Sequence, residues 1–189
     1  MIIVEDILER IFKQIPDYEE TATNRKFPIR FGFGIQEDLT LFLTQEEQKY
    51  PLIWYVPSKL TDGFYNKRAS QRLRLILAKN SENETSQNKQ VWKTEFKECL
   101  NPLLEMVLMA LGKSGATQIV NNGNYDVERI ANFTELERGT RMREANKTVD
   151  YWNVIILDIN VMYFETQTKP MCINEINFPT WQKLKQKLS

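Results

Sequence analysis

A chain of 189 residues, 42% of them hydrophobic, is long enough for one domain with a substantial core, or one domain with a long insertion. Its 25 basic and 25 acidic residues cancel, so overall charge does not indicate nucleic-acid binding, although a local basic patch is compatible with zero net charge. There is no histidine, which removes histidine general bases, Ser-His and Cys-His dyads and histidine-containing zinc sites together.

The N-terminus, Met-Ile-Ile-Val-Glu-Asp, has no basic lead-in and is broken by acids, so it does not read as a signal peptide. Val4, Ile7, Leu8, Ile11, Phe12 and Ile15 recur at three- and four-residue spacing. That spacing predicts an amphipathic helix, with acids at its positive end and Pro16 as its stop. Residues 17–28 are polar and read as a loop. Ile29 to Gly34 alternates, with Phe31 and Phe33 on one face and two glycines that suggest a weak strand or a bulge. The glycines do not make a phosphate loop, since no Lys-Ser/Thr follows and there is no G-x-G-x-x-G. Asp38 to Gln48 fits a short helix or a strand equally well. Leu52 to Val56, between Pro51 and Pro57, predicts a short buried strand with sharp ends. Residues 58–70 read as a polar loop. In the strand predicted over Arg72–Ala78, Leu73, Leu75 and Leu77 face inward while Arg72 and Arg74 face out.

Asn80 to Asn88 is almost free of apolar residues and reads as a surface loop. From Trp92 the period returns to that of a helix: Trp92, Phe96, Leu100, Leu103, Leu104, Val107, Leu108 and Leu111 form one stripe that ends at Gly112. Pro102 lies inside it, and the stripe stays in phase across the proline, so one kinked helix over 92–111 is favoured over two. The segment 115–150 is polar. It carries a turn signal at Asn122-Gly123 and a dense run of charge from Glu135 to Arg143, and reads as an insertion or arm. Asn153 to Phe164 is the clearest strand in the chain: Ile155, Leu157, Ile159, Val161 and Tyr163 are apolar at alternate positions, and Asp158 and Asn160 interrupt the other face. A threonine-rich turn follows at 166–169, then Met171 to Asn174 as a hairpin partner. Trp181, Leu184 and Leu188 mark a short terminal helix, with lysines near its negative end.

The expected fold is a single α+β domain over 1–189, with a polar insertion or arm at about 115–150. Its antiparallel or mixed sheet is covered on one face by the long helix, with N-terminal and short C-terminal helices in addition. No apolar run is long enough to span a membrane. Cys99 and Cys172 read as buried free thiols, with a disulfide or redox pair as the alternative. Three glycosylation sequons, at Asn83, Asn132 and Asn146, are read as chance, and the expected compartment is the cytoplasm.

Three constellations bear on chemistry. Glu95-Phe-Lys97 has the E-x-K spacing that, with an upstream Asp, could build a magnesium-dependent nuclease site. On a helix the two side chains point to different faces, and a solvated surface is the ordinary explanation. Asp158 and Asn160 mark either a polar or pore-facing site or the half-exposed face of an antiparallel sheet. Lys59, Phe64, Tyr65, Lys67 and Arg68, together with Arg138, Arg141, Arg143 and Lys147, are candidate contact residues for phosphates or protein. Phe64 and Tyr65 suit an interface better than base stacking. Trp54 and Trp92 are expected in the core. No cofactor or metal is expected.

The order of these elements resembles that of the tail-terminator or tail-completion proteins of tailed bacteriophages, which sit in the head–tail connector. The resemblance rests on the N-terminal helix, Tyr50-Pro-Leu-Ile-Trp-Tyr-Val-Pro57 and the strand Leu73–Ala78, followed by the helix holding Phe96-Lys-Glu-Cys-Leu-Asn-Pro-Leu-Leu104 and the strand 152–164. It implies a small, non-enzymatic structural subunit that assembles with copies of itself into a ring and joins the portal or neck to the tail. It also implies a place in the virion, with assembly in the host cytoplasm. DNA could pass through the lumen without sequence-specific binding, and no membrane is involved. The alternatives are a metal-dependent nuclease, which needs Asp158, Glu95 and Lys97 to converge, and a monomeric binding module.

Overall fold

The computed structural model describes residues 3–21, 23–35, 37–39, 42, 50–63, 68–80, 92–120, 123–133, 152–164 and 173–188. Helix α1 (Val4–Phe12) buries Val4, Ile7, Leu8, Ile11 and Phe12, the apolar stripe of the sequence. The segment 17–28, expected as a loop, instead contains strands β1 (Tyr18–Glu19) and β2 (Lys26–Phe27), paired antiparallel with Tyr18 opposite Phe27. Two-residue strands leave no periodicity to read. The hairpin is fixed by Tyr18, which stacks on Phe27 at 6.3 Å and meets Trp181 edge-on at 5.1 Å between ring centroids.

Strands β3 (Arg30–Phe33) and β4 (Leu52–Val56) pair in parallel, the one parallel pairing among the described residues of the sheet. Of the unsettled stretch 38–48, the described residues Asp38, Leu39 and Phe42 are helical. Strand β5 (Thr61–Gly63) pairs with the start of β6 (Arg68–Asn80), so part of the expected polar loop 58–70 belongs to the sheet. The helical run that follows is π-helical over Trp92–Leu100 and continues as α2 (Asn101–Lys113). Leu100 keeps helical backbone angles and Pro102 falls in the first turn of α2. Proline lacks an N–H and crowds the carbonyl four residues back, and a wider π turn just before it accommodates both defects. This wider winding also shifts the start of the stripe, so Trp92 is 42% exposed, stacked on Phe96, and is not the core residue expected.

Strands β7 (Thr117–Ile119), β8 (Tyr125–Phe133) and β9 (Trp152–Phe164) complete the sheet, and α3 (Trp181–Lys187) closes the described chain, with the Thr180 hydroxyl accepting from the Lys183 amide. Within the polar segment 115–150, residues 117–119 and 125–133 are therefore strands. Ile173 and Asn174 do not pair as the expected hairpin partner. The Asn174 amide donates to the Ser114 carbonyl, and β9 takes β6 on one side and β7 and β8 in line on the other.

The sheet order is β3-β4-β6-β9-β7, with β5 on the edge of β6 and β8 on that of β9. β6 and β9 pair over their whole lengths, placing Leu73 opposite Ile159, Leu75 opposite Leu157 and Leu77 opposite Ile155. These six, with Ile53, Tyr55, Val161 and Tyr163, form one face of the sheet and join the main core with α1, the π-helical run, α2 and α3. That face is thus packed by several helical pieces, not by a single rod. On the other face, half the surface is a smaller core of Leu39, Leu52, Trp54, Ala78, Trp152 and Val154. Gly32 belongs to this packing: a Cβ there would lie 2.5 Å from Trp54 Cζ3, so only glycine lets the indole cross β3.

Candidate functional site

Beyond that smaller core, the second face is where β6 and β9 turn polar. Cross-strand register sets Arg74 opposite Asp158 and Arg72 opposite Asn160, so the outward arginines of one strand meet the polar interruption of the other. The Arg74 guanidinium donates to both Asp158 carboxylate oxygens, Nε to Oδ1 at 2.8 Å and Nη2 to Oδ2 at 2.7 Å. Arg72 reaches Asp158 at 3.8 Å and Asp126, from β8, at 3.0 Å. The hydrogen bonds from Arg74, with its charge and that of Arg72, hold the Asp158 carboxyl below its usual range against the opposing effect of burial.

A depressed carboxylate pKa contributes stability that is fully present above the unfolded value and is lost as pH falls through the folded one. Arg74→Gln is therefore expected to cost about 1 kcal/mol near neutral pH, because the guanidinium is half exposed. Its difference from wild type should start to shrink as pH falls below the ordinary carboxylate range, about pH 4, and vanish only below the depressed folded value, where the carboxylate is protonated in both chains. Chemical denaturation across pH measures this, and a difference independent of pH would contradict it.

Beside this pair lies a shallow depression of about 400 Å³, lined among others by Lys59, Ser70, Arg72, Asn160 and Met162. Lys59 thus stands on its rim. Arg68 sits at the start of β6 with its guanidinium 5.4 Å from the Phe164 ring centroid. Phe64, Tyr65, Lys67, Arg138, Arg141, Arg143 and Lys147 lie outside the described residues, as do Cys172 and the turn at 166–169.

Two buried polar groupings went unread in the sequence. Lys79 and Glu95 pair at 2.8 Å between β6 and the π-helical run, both side chains nearly buried, with Lys79 also 5.5 Å from the centre of the Tyr18 ring. Cys99 lies fully buried close by, a free thiol whose pKa burial pushes up to about 12, so it is protonated and unreactive near neutral pH. At the other end of the same face, Gln71 Nε2 donates to Tyr55 Oη at 2.7 Å and to the Ser58 carbonyl at 2.8 Å, and Tyr163 Oη donates to Gln71 Oε1 at 3.3 Å. Burial raises the Tyr55 pKa against the hydrogen bond from Gln71, and the Glu5 carboxylate adds to the rise. The convergence that the nuclease alternative needs does not occur: Lys79 holds Glu95 on the helix-covered face, whereas Asp158 sits on the other. Among the described residues no three Asp, Glu or Cys side chains group as a metal site would.

The remaining surface feature is apolar. Phe33 is 50% exposed and Ile35 57%, at the end of the edge strand β3. Ile3, 46% exposed, is the N-cap residue of α1. Among the described residues no helix is long and apolar enough to cross a membrane. Compared with protein families, with curated proteins and with solved structures, the chain matches none of them.

Proposed function

We propose that this protein is a structural subunit that assembles with copies of itself into a ring in the head–tail connector of a tailed phage, joining portal or neck to tail. The observation that supports self-assembly best is the exposed apolar pair Phe33 and Ile35 at the end of the edge strand β3. Large apolar side chains held half in water on a rigid sheet edge are interface material. The place in the phage neck rests on the resemblance in element order, with the helical run 92–113 as one of the pieces that pack on the sheet. In this reading neighbouring portal, neck or tail proteins bind the ring, DNA passes its lumen without sequence readout, and the segment around Arg138, Arg141 and Arg143 serves as an arm on a neighbour. The charged half-face of Arg72, Arg74, Asp126 and Asp158 is already paired within the chain, as suits a solvated or lumen-facing surface.

Negative-stain electron microscopy of the purified chain, alone and mixed with tails lacking their terminal ring, tests this. Closed rings of uniform diameter that cap one end of the tails are expected. Particles of monomer size at micromolar concentration, with bare tail ends, would contradict it.

A further inference from the structure

The sheet has two outer edges, and they match each other. On β3, the Arg30 amide donates to the Pro51 carbonyl and the Gly34 amide to the Tyr55 carbonyl, so the intervening Phe31 and Phe33 amides point away from β4. Among the described residues no strand pairs with that side of β3, nor with the outer side of β8. Open edges of this kind are templates for another strand.

Resting on the ring reading, we propose that the subunit contact is the antiparallel pairing of β3 of one copy with β8 of the next, with Phe33 opposite Tyr125 and Arg30 opposite Glu128. Direction, face and charge each point to this pairing. β3 runs with β4, β4 against β6, β6 against β9 and β9 against β8, so β3 and β8 run in opposite directions. Copies related by rotation about an axis along the strands therefore bring the two edges together antiparallel. Phe31 packs on Phe12 of α1, which puts Phe33 on the helix-covered face, and Tyr125 opposite Ile159 shares that face. Phe33 and Tyr125 are also two of the five large hydrophobics left exposed among the described residues. Directly opposed residues in an antiparallel ladder share a face, and an aromatic pair there is favourable.

Setting those two opposite each other fixes the rest of the register and places Arg30 across from Glu128. Both lie on the other face: Arg30 alternates with Phe31, and Glu128 alternates with Val127, which packs against the main core. The segment 25–30 carries Arg25, Lys26 and Arg30 with no acid, whereas 124–128 carries Glu128 and Asp126, the latter shared with Arg72 of its own chain, with no base. Arg129 does not spoil the match, since its Nε donates to Asn101 Oδ1 at 3.0 Å on the helix side. A contact between two different edges is heterologous, and such contacts make a ring where the rotation from copy to copy closes and an open filament where it does not.

Within one chain, β4, β6 and β9 separate the two edges, roughly 19 Å at the spacing of neighbouring strands. A disulfide between positions 33 and 125 must therefore join two molecules, while opposed residues in a ladder lie within disulfide reach. Under mild oxidation, a chain carrying Phe33→Cys and Tyr125→Cys together is expected to cross-link into a ladder that stops at one size. The two single substitutions and the wild type, with its own cysteines, should not cross-link. As a second arm, Glu128→Arg should raise the concentration for half-assembly roughly tenfold, and Arg30→Glu in the same chain should restore it. Cross-linking of either single substitution with itself would indicate a two-fold dimer and overturn the proposal. Rings that form without the 33–125 cross-link and ignore the charge swap would overturn it too, leaving the ring reading intact. A wild-type chain that stays monomeric at every concentration would sink both.

Discussion

Lys79→Met is expected to destabilise the fold by about 3–5 kcal/mol, among the largest costs of any single polar substitution in the chain. Lys79 and Glu95 are only 13% and 11% exposed and meet at 2.8 Å between the central sheet and the π-helical run. Removing the ammonium leaves a carboxylate in a site with little water and takes away the ion pair that offset its desolvation. The cost belongs to the broken pair, not to the intact one. Lys79→Met combined with Glu95→Leu should therefore recover most of the loss, since the site then holds apolar groups of similar size. Urea unfolding of the wild type, the single and the double variant checks this. A single variant within about 1 kcal/mol of wild type, or a double variant no better than the single, would show that the pair is more hydrated than its burial implies.

Leu157→Ala is expected to cost a further distinct amount, about 2–5 kcal/mol. Leu157 and its register partner Leu75 are both fully buried at the middle of the longest strand pairing, under the helices. Truncation removes transfer free energy and leaves a cavity that two 13-residue paired strands cannot easily close. The neighbouring residue is a built-in control: Asp158 points to the other face, so Asp158→Asn should cost far less, about 1 kcal/mol, by weakening the bond to Arg74. Thermal or urea unfolding that ranked these two substitutions in the reverse order would contradict the assignment of faces.

How much of this was legible in the sequence depended on burial contrast along each segment. β9, β4 and the core of β6 announced themselves because one face of each is continuously apolar, and α1 because its stripe is uninterrupted. The short and peripheral strands did not. β1, β2 and β5 are two or three residues long, too short for a period. β8 alternates only from Tyr125 to Glu128, because Arg129 takes the face of Tyr125 and Val127 while Ile130 packs on the smaller core, and its charges read as an arm. The π-helical winding before Pro102 was beyond a pattern read at 3.6 residues per turn, and Trp92 was misplaced by it.

The candidate site shows the same division. Outward Arg72 and Arg74 and the polar break at Asp158 were each visible, yet the separation of 84 positions between Arg74 and Asp158 hides that they are partners, because register is a property of the pairing. The Lys79–Glu95 pair was invisible for a similar reason, being a contact between a strand and a helix. Of the contact residues proposed from composition, Lys59 and Arg68 flank the β5–β6 hairpin, whereas the exposed aromatics on the edge strands, Phe33 and Tyr125, carried no charge signal.

Everything functional here depends on the chain meeting copies of itself through two different edges. Native mass spectrometry of the purified, unmodified chain over a range of concentrations tests that most directly. A single closed oligomer of at least three subunits, with no open-ended series of larger species, is the predicted result. A monomer throughout, or a dimer that grows no further, would contradict it.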